Sequence, residues 1–265
     1  KIPMDEGFLE PFLRYKTFLT FKSIVLDMIK NIANTDYFID IGANCGSTLV
    51  EVASKNSKIN YFGFEPNIKA FRLLSKIVEL NKINGILYHF ACAEKSTITR
   101  LFFNSEVDPC ATINKNIRPN EYKNVQGIYV GAFPLDEALP ENLPKSFVLK
   151  IDTEGSENGV LKGAINTINS KRPFILCEVL HANTEKEIAI NNKSKKELKN
   201  LLTQLNYKIY LLRLVSNTDL LEKIEHIEDF QMNTTYQNNF NTCDFIFVPL
   251  ELSLQFEKSI PQSYK

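Results

Sequence analysis

The sequence predicts an α/β fold, a doubly wound and largely parallel sheet with helices on both faces. Three observations predict it. Short, apolar, β-favouring runs alternate with stretches of helical periodicity along most of the 265 residues, the pattern of βαβ units. The stretch "YFIDIGANCGSTLVEVAS", Tyr37–Ser54, takes an apolar strand straight into a glycine-bearing turn and then a helix. Nucleotide-like ligands meet exposed backbone N–H groups in such a turn. The third is Pro173–Leu180, almost continuously apolar, as a strand covered on both faces should be.

In chain order, Phe18, Phe21, Ile24, Val25 and Met28 recur at helical spacing within Phe8–Ile29, which reads as an amphipathic packing helix. Residues 1–34 are therefore taken as an N-terminal helical extension. After the strand at Tyr37–Ile39 and the helix begun near Ser47, Ile59–Phe64 reads as a second strand ending at Glu65-Pro66. Asn67 can cap a helix whose apolar face is Ala70, Leu73, Leu74, Ile77 and Val78. Gly85 breaks that pattern, and Ile86–Ala91 and Ile98–Phe103 follow as extended runs. The stretch 104–131, rich in Asn, Pro and Lys, reads as a loop or insertion of the kind that often carries binding function. Ser146–Asp152 is a strand, Thr153–Ser156 a turn, and Val160, Leu161, Ala164, Ile165 and Ile168 a helical face. Beyond Pro173–Leu180 come a helix over Lys195–Leu205 and two late strands, Lys208–Leu212 and Asp244–Val248. One domain over 35–250, with 251–265 as a tail, is the economical division.

Composition excludes several classes. Lys plus Arg and Asp plus Glu stand at 31 each, so no bulk charge argues for nucleic acid or an anionic membrane surface. No apolar run approaches the roughly 20 residues of a membrane span. The five cysteines are scattered and form no C-x-x-C pair, which suggests neither a zinc knuckle nor a disulfide scaffold. A cytoplasmic setting is the default expectation. The chain opens on a lysine, and the N-terminal stretch lacks the uninterrupted apolar region of a secretory signal.

The turn decides which nucleotide is expected. A dinucleotide site reads G-x-G-x-x-G, because a pyrophosphate must sit on bare backbone. Here Gly42 and Gly46 are separated by three residues, Asn44 lies between them and Asp40 precedes them. A carboxylate pointing into the site repels pyrophosphate and suits a cation, and S-adenosylmethionine carries an ammonium and a sulfonium. Glu65 adds to this. It ends the second strand, about 20 residues beyond the turn, where an acid can accept both hydroxyls of a ribose.

The segments "FIDIGANCG", "FGFEPN", "ACAEKSTI", "VLKIDTEGSENGVLKGA" and "RPFILCEVLHA" resemble, in order and approximate spacing, the FkbM-like family of S-adenosylmethionine-dependent methyltransferases. The resemblance runs over about Tyr37–Ala182, with a weaker echo in "DFIFVP". It implies a class I methyltransferase fold, Rossmann-like, with a seven-stranded sheet whose last strand is antiparallel. It also implies O-methylation, commonly of sugar or natural-product hydroxyls, so the partner is a small-molecule or glycan acceptor. Cofactor contacts are implied for Asp40, Gly42, Asn44, Gly46, Glu65, Pro66, Ala93, Glu94 and Asp152; Glu94 stands where the family usually has aspartate.

The candidate chemistry lies at strand ends, where ligands of doubly wound sheets sit. Asp152 and Glu154 follow one core strand, and Glu178 and His181 end the next. Methyl transfer to an alcohol needs the acceptor oxygen in line with the sulfonium and a base to take its proton. His181 is the candidate by intrinsic pKa; Asp152 or Glu154 can serve if desolvated. An alternative is a divalent metal held by Asp152, Glu178 and His181. Lys150, inside an apolar strand, needs a buried partner, and Asp152 or Glu178 could supply it. Glu157 and Glu154 could equally be helix-start carboxylates. His89 reads as a structural histidine within a strand, His226 as part of a solvated acidic face, Cys45 as a space-filler, and Tyr122 and Tyr129 as loop aromatics able to stack on a sugar. Two competing functions are an NAD-dependent dehydrogenase on a similar sheet and a catalytically silent binding module on the methyltransferase scaffold.

Overall fold

The computed structural model describes residues 20–33, 36–114, 116, 127–216, 218–236 and 240–265. Tyr122 and the helical positions before Thr20 lie outside them. Helix α1 (Phe21–Ala33) leads into β1 (Tyr37–Ile41), α2 (Ser47–Lys55), β2 (Asn60–Phe64), α3 (Ile68–Asn81) and β3 (Asn84–Tyr88). A smaller sheet follows, built from β4 (Ala91–Cys92), β5 (Thr97–Phe102) and β6 (Gly127–Phe133). The chain then returns through α4 (Leu135–Ala138), β7 (Val148–Ile151), α5 (Glu157–Lys162), α6 (Ile165–Lys171) and β8 (Phe174–Glu178). It closes with α7 (Ile188–Gln204), β9 (Tyr207–Leu214), β10 (Leu221–Ile227), β11 (Asp244–Pro249) and α8 (Ser253–Ser259).

The main sheet has the order β10-β9-β11-β8-β7-β1-β2-β3. Strands β8, β7, β1, β2 and β3 pair in parallel, while β11 runs antiparallel to both β8 and β9. The sheet therefore has eight strands rather than seven. The extra one is β10, which pairs antiparallel to β9 at the edge. Its sequence, "LEKIEHI", buries only Leu221 and Ile224, and an irregularity in its register between Leu221 and Lys223 breaks the period of two that would mark a strand. His226 lies on this strand and is exposed, as expected of a solvated face.

Other corrections concern the flanks. Residues 127–131, read as the end of a loop, belong to β6; Gly127 and Gly131 dilute its strand signal. The 251–265 stretch holds α8, whose Phe256 is fully buried and packs in one apolar cluster with Val25 and Met28 of α1. His89 falls just after β3 and is exposed, its Nε2 set 3.1 Å from the Pro66 carbonyl.

Helices cover both faces, as the parallel order demands. On one side α1, α2, α3 and α8 bury Ile29, Leu49, Leu74 and Phe256 against Phe38, Tyr61 and Ile246. On the other, α5, α6 and α7 bury Val160, Ile168 and Leu202 against Ile39, Leu149 and Ile175. The chain leaves β1 toward β2 and β3 on one side, and later fills β7 and β8 on the other. This reversal opens a crevice beyond the carboxyl ends of β1 and β7.

Candidate active site

The crevice is built by backbone that only certain residues permit. Gly42, directly after β1, has φ +77°, and a Cβ there would sit 1.8 Å from the Asp152 carbonyl oxygen. Glycine alone lets the turn after β1 lie against the end of β7. The turn is tied down by Gly42 and Ala43 N–H groups donating to Phe64 O at 3.1 and 3.0 Å. Asn44 is also left-handed, at φ 46°. Its N–H donates to Glu65 Oε2 at 2.8 Å and its side-chain amide to Asp108 O at 3.2 Å.

A cavity of about 350 Å³ lies here, lined by Gly42, Asn44, Glu65, Pro66, Asp152 and Glu154 among others. Its outer wall comes from 105–113, in the stretch read as a loop. Asp108 folds that wall, its carboxylate accepting from the N–H groups of Asn104 and Cys110 at 2.7 and 2.9 Å. Thr112 Oγ1 and Asn114 Nδ2 donate to the carbonyls of Glu154 and Gly155, both at 2.8 Å. Lys22 of α1 reaches the same cavity. Neither Lys22 nor Asp108 carries a local motif; Asp108 sits in an Asx-type loop, the one signal available for it.

Glu65 is buried, and its Oε1 accepts from Asn67 N–H at 2.6 Å. Burial pushes its carboxyl up to about 7, against backbone hydrogen bonds that lower it. Asp40 does not line the cavity. It is fully buried, with Tyr61 OH donating to Oδ2 at 2.8 Å and Lys150 Nζ to Oδ1 at 2.9 Å. The expectation that its charge faces the donor is corrected: register pairs Asp40 with Lys150 across β1 and β7, and the charge is spent there. Lys150 also meets Asp152 Oδ2 at 3.3 Å and Gly42 O at 3.2 Å. Burial alone lowers the Lys150 ammonium, but Asp40 and Asp152 outweigh it and hold it above the usual lysine range.

Asp152, Glu154 and Glu178 bring carboxylate oxygens within 4.8 Å of one another, all half-buried. Burial, then the charges of Asp152, Glu154 and Asp244, push Glu178 well above the usual carboxyl range. Burial also raises Asp152, yet Lys150 and Lys22 overcome it and the group stays below its ordinary value. The two neighbouring carboxyls are thus pushed in opposite directions, Glu178 toward its protonated form and Asp152 toward its ionised form. Among the described residues this carboxylate trio is the group able to take a metal ion. Glu154 has φ +54°, a conformation costly for a non-glycine residue. Glu157 organises the turn, accepting from Gly155 N–H at 2.9 Å and Thr153 Oγ1 at 3.0 Å.

His181 is brought elsewhere. It is not among the residues lining the cavity. Its Nε2 lies 2.9 Å from Thr242 Oγ1, and its Nδ1 2.5 Å from Thr234 Oγ1 and 3.1 Å from Lys195 Nζ. With both ring nitrogens engaged in a buried network, it is neither in the metal-capable group nor in reach of the cavity. Glu94 is also displaced. It is half-exposed, 4.0 Å from Lys162 Nζ, and neither it nor Ala93 lines this cavity. Cys45 is buried, and burial raises its thiol to about 11, as a space-filler requires. Tyr129 stands exposed on β6, away from the described cavity wall.

A doubly wound sheet with an antiparallel strand between β8 and β9, and a cavity at the β1/β7 switch, defines the class: the class I methyltransferase fold. Residues 40–209 match the Methyltransferase FkbM domain, and the chain belongs to that family. Relatives are distant. A hexuronic acid methyltransferase, AglP, of Haloferax volcanii is 25% identical over 190 residues, 70% of this chain and 72% of that protein. Methyltransferase 1 of Beauveria bassiana is 24% identical over 161 residues, 54% of this chain and 65% of that one. The FkbM methyltransferase structure from Methylobacillus flagellatus superposes with a TM-score of 0.50 at 14% identity, over 81% of this chain. The present chain spans only 44% of the Methylobacillus protein's length.

Proposed function

We propose that the protein is an S-adenosylmethionine-dependent O-methyltransferase acting on a hydroxyl of a sugar or glycan. One observation carries this reading: the charge of the cavity. Glu65, Asp108, Asp152 and Glu154 line it against two lysines, Lys22 and Lys150, and Lys150 is engaged by Asp40. A pyrophosphate would be repelled there, which argues against NAD. A sulfonium cation is attracted. The hexuronic acid named for the Haloferax relative supports a sugar acceptor.

The residues present fit this donor. Gly42 of the turn lines the cavity without a side chain to fill it, and Glu65 has lone pairs left for two ribose hydroxyls. When bound, the donor supplies an electrophilic methyl group, and its sulfur leaves as a neutral thioether. Asp152, open to the cavity, is the carboxylate placed to accept the proton of the acceptor hydroxyl as that oxygen takes the methyl group; Lys150 and Lys22 hold it ionised, so position rather than a burial-raised pKa carries this role. Glu178, raised well above the usual carboxyl range by burial and the Asp152 charge, lies beside that carboxylate. Lys150 fixes one Asp152 oxygen. His181 is replaced in this role because its nitrogens are occupied.

Calorimetry tests the class. S-adenosylmethionine and its demethylated product bind and NAD does not; tight NAD binding with no response to the methyl donor overturns the reading. A catalytically silent module would bind the donor yet transfer no label to any of a panel of glycans.

A further inference from the structure

A second cavity, of about 390 Å³, adjoins the first. Cys92, Ile113 and Ser156 line both. One wall is apolar, from Ile113, Ile190, Cys92 and Ala93; the other is polar, from Ser156, Asn158, Lys193, Ser194 and Glu197. Three of these polar groups are unspent. Ser156 Oγ and Asn158 Oδ1 are buried atoms with no hydrogen-bond partner, a costly state that a ligand relieves. Asn158 itself is held rigid, its Nδ2 donating to Ser194 O and Oγ at 2.9 Å, which aims the amide oxygen. Lys193 stands exposed at the rim, and among the described residues no carboxylate pairs with it, whereas Glu197 sits 3.8 Å from Lys162.

The space is kept by a missing side chain. Gly159 lies on α5 at the cavity wall, and a Cβ there would meet nothing nearer than Glu94 N at 3.9 Å. No backbone strain requires glycine at this position, and alanine would favour the helix by about 1 kcal/mol. Openness is the property that glycine adds.

Resting on the methyl-transfer reading, we propose that this second cavity is the acceptor subsite and is built for a carboxylate-bearing sugar. The first cavity, near the lower end of the roughly 300–1,000 Å³ typical of small-molecule pockets, is the size of a single ligand, so the acceptor ring is assigned to the second. Ring hydroxyls donate to Asn158 Oδ1 and Ser156 Oγ, the apolar wall takes the C–H face, and Lys193 meets the carboxylate. One free ammonium among the described residues of a wall that also carries Glu197 suits a single negative charge and disfavours a phosphate dianion.

The test is a titration of the full chain with methyl glucuronoside and with neutral methyl glucoside, alongside S-adenosylmethionine. We expect saturable glucuronoside binding, weakened about tenfold or more by Gly159→Leu. Asn158→Ala weakens both sugars. Lys193→Ala weakens only the glucuronoside, by about two- to fivefold. Donor affinity stays within about twofold of wild type in all three. Gly159→Ala serves as the folding control. Absence of saturable sugar binding, or binding undiminished by Gly159→Leu, overturns the subsite. Loss of donor affinity in Gly159→Leu also overturns it, by giving this cavity to the donor. Failure of wild type to bind S-adenosylmethionine, with sugar binding intact, removes instead the methyl-transfer reading on which the subsite rests.

Discussion

Among the described residues two lysines are buried, and the fold treats them in opposite ways. Lys150 on β7 lies between Asp40 and Asp152, and its ammonium is held above the usual range. Lys195 on α7 is equally buried, at 2% exposure. It donates to Gln231 O at 2.9 Å and Thr234 Oγ1 at 3.0 Å and faces His181 Nδ1. Burial brings its ammonium down to about 8. The same side chain is a firmly held ion beside the cavity and, behind β8, a cation that gives up its proton more readily than an ordinary lysine. What differs is the partner. Carboxylates repay the loss of water; carbonyls and hydroxyls repay only part of it. Lys150 joins three functional parts, the buried Asp40, the glycine turn and the cavity's Asp152, whereas Lys195 ties the 231–234 loop to α7 and to the end of β8.

The hardest way to break this contrast is Lys150→Met. Removing one partner leaves Asp40 as an uncompensated buried charge, and we expect a loss of about 3–5 kcal/mol in denaturant unfolding. Adding Asp40→Asn should recover part of it, because the orphaned charge goes too. A Lys150→Met loss below about 1 kcal/mol, or no recovery in the double variant, would mean that the pair is not the coupled unit described.

Glu65 sharpens the comparison from the acidic side, since it is buried without a directly bound cation and titrates at about 7. Ribose hydroxyls and a sulfonium favour its ionised form, so donor binding must expel the proton. Donor affinity should rise about tenfold between about pH 6 and about pH 8. Glu65→Gln should weaken binding and flatten that profile. In the unliganded protein the sign is reversed. Because the folded pKa is raised, the group's stabilising contribution is full below the unfolded value near 4.5 and is lost as pH rises through about 7. A donor affinity indifferent to pH would remove Glu65 from the ribose role.

The contrast also explains what the sequence could reveal. Lys150 was visible because a charge inside "FVLKID" interrupts an apolar strand and demands a partner. Asp152, two positions on, is one partner as expected; the nearer one, Asp40, lies 110 positions away in a different strand, and only the β1/β7 register shows it. The glycine turn, Glu65 and the parallel core were legible because turn chemistry and apolar runs are local. Lys195 was hidden among the lysines of "NNKSKKELKN". Its spacing from Asn191, Leu198 and Leu202, all buried, is the helical stripe that could have exposed it. His181 looked like a base because sequence gives its pKa class but not its neighbours; Thr234 and Thr242, which occupy its nitrogens, lie 53 and 61 positions on. Lys22 and the 105–113 wall reach the cavity through long-range packing that no local pattern encodes.

The smallest expected effect is Lys195→Met. The substitution removes a costly buried cation but strands the Gln231 carbonyl, so the two terms oppose and the net change at neutral pH should fall within about 2 kcal/mol of wild type. Its signature is the pH dependence. Below about pH 8 Lys195 is protonated in both folded and unfolded chains, and the gap between wild type and variant is constant. From about 8 toward the unfolded value of 10.5, the folded chain gives up this proton while the unfolded chain keeps it. The unfolded state then binds more protons, and stability conferred by this site rises with pH. Wild type should therefore gain on Lys195→Met as unfolding midpoints are followed through that window. A gap that stays flat, or one that narrows, would show that Lys195 keeps its charge and has found a carboxylate after all, and the distinction between the two lysines would be gone.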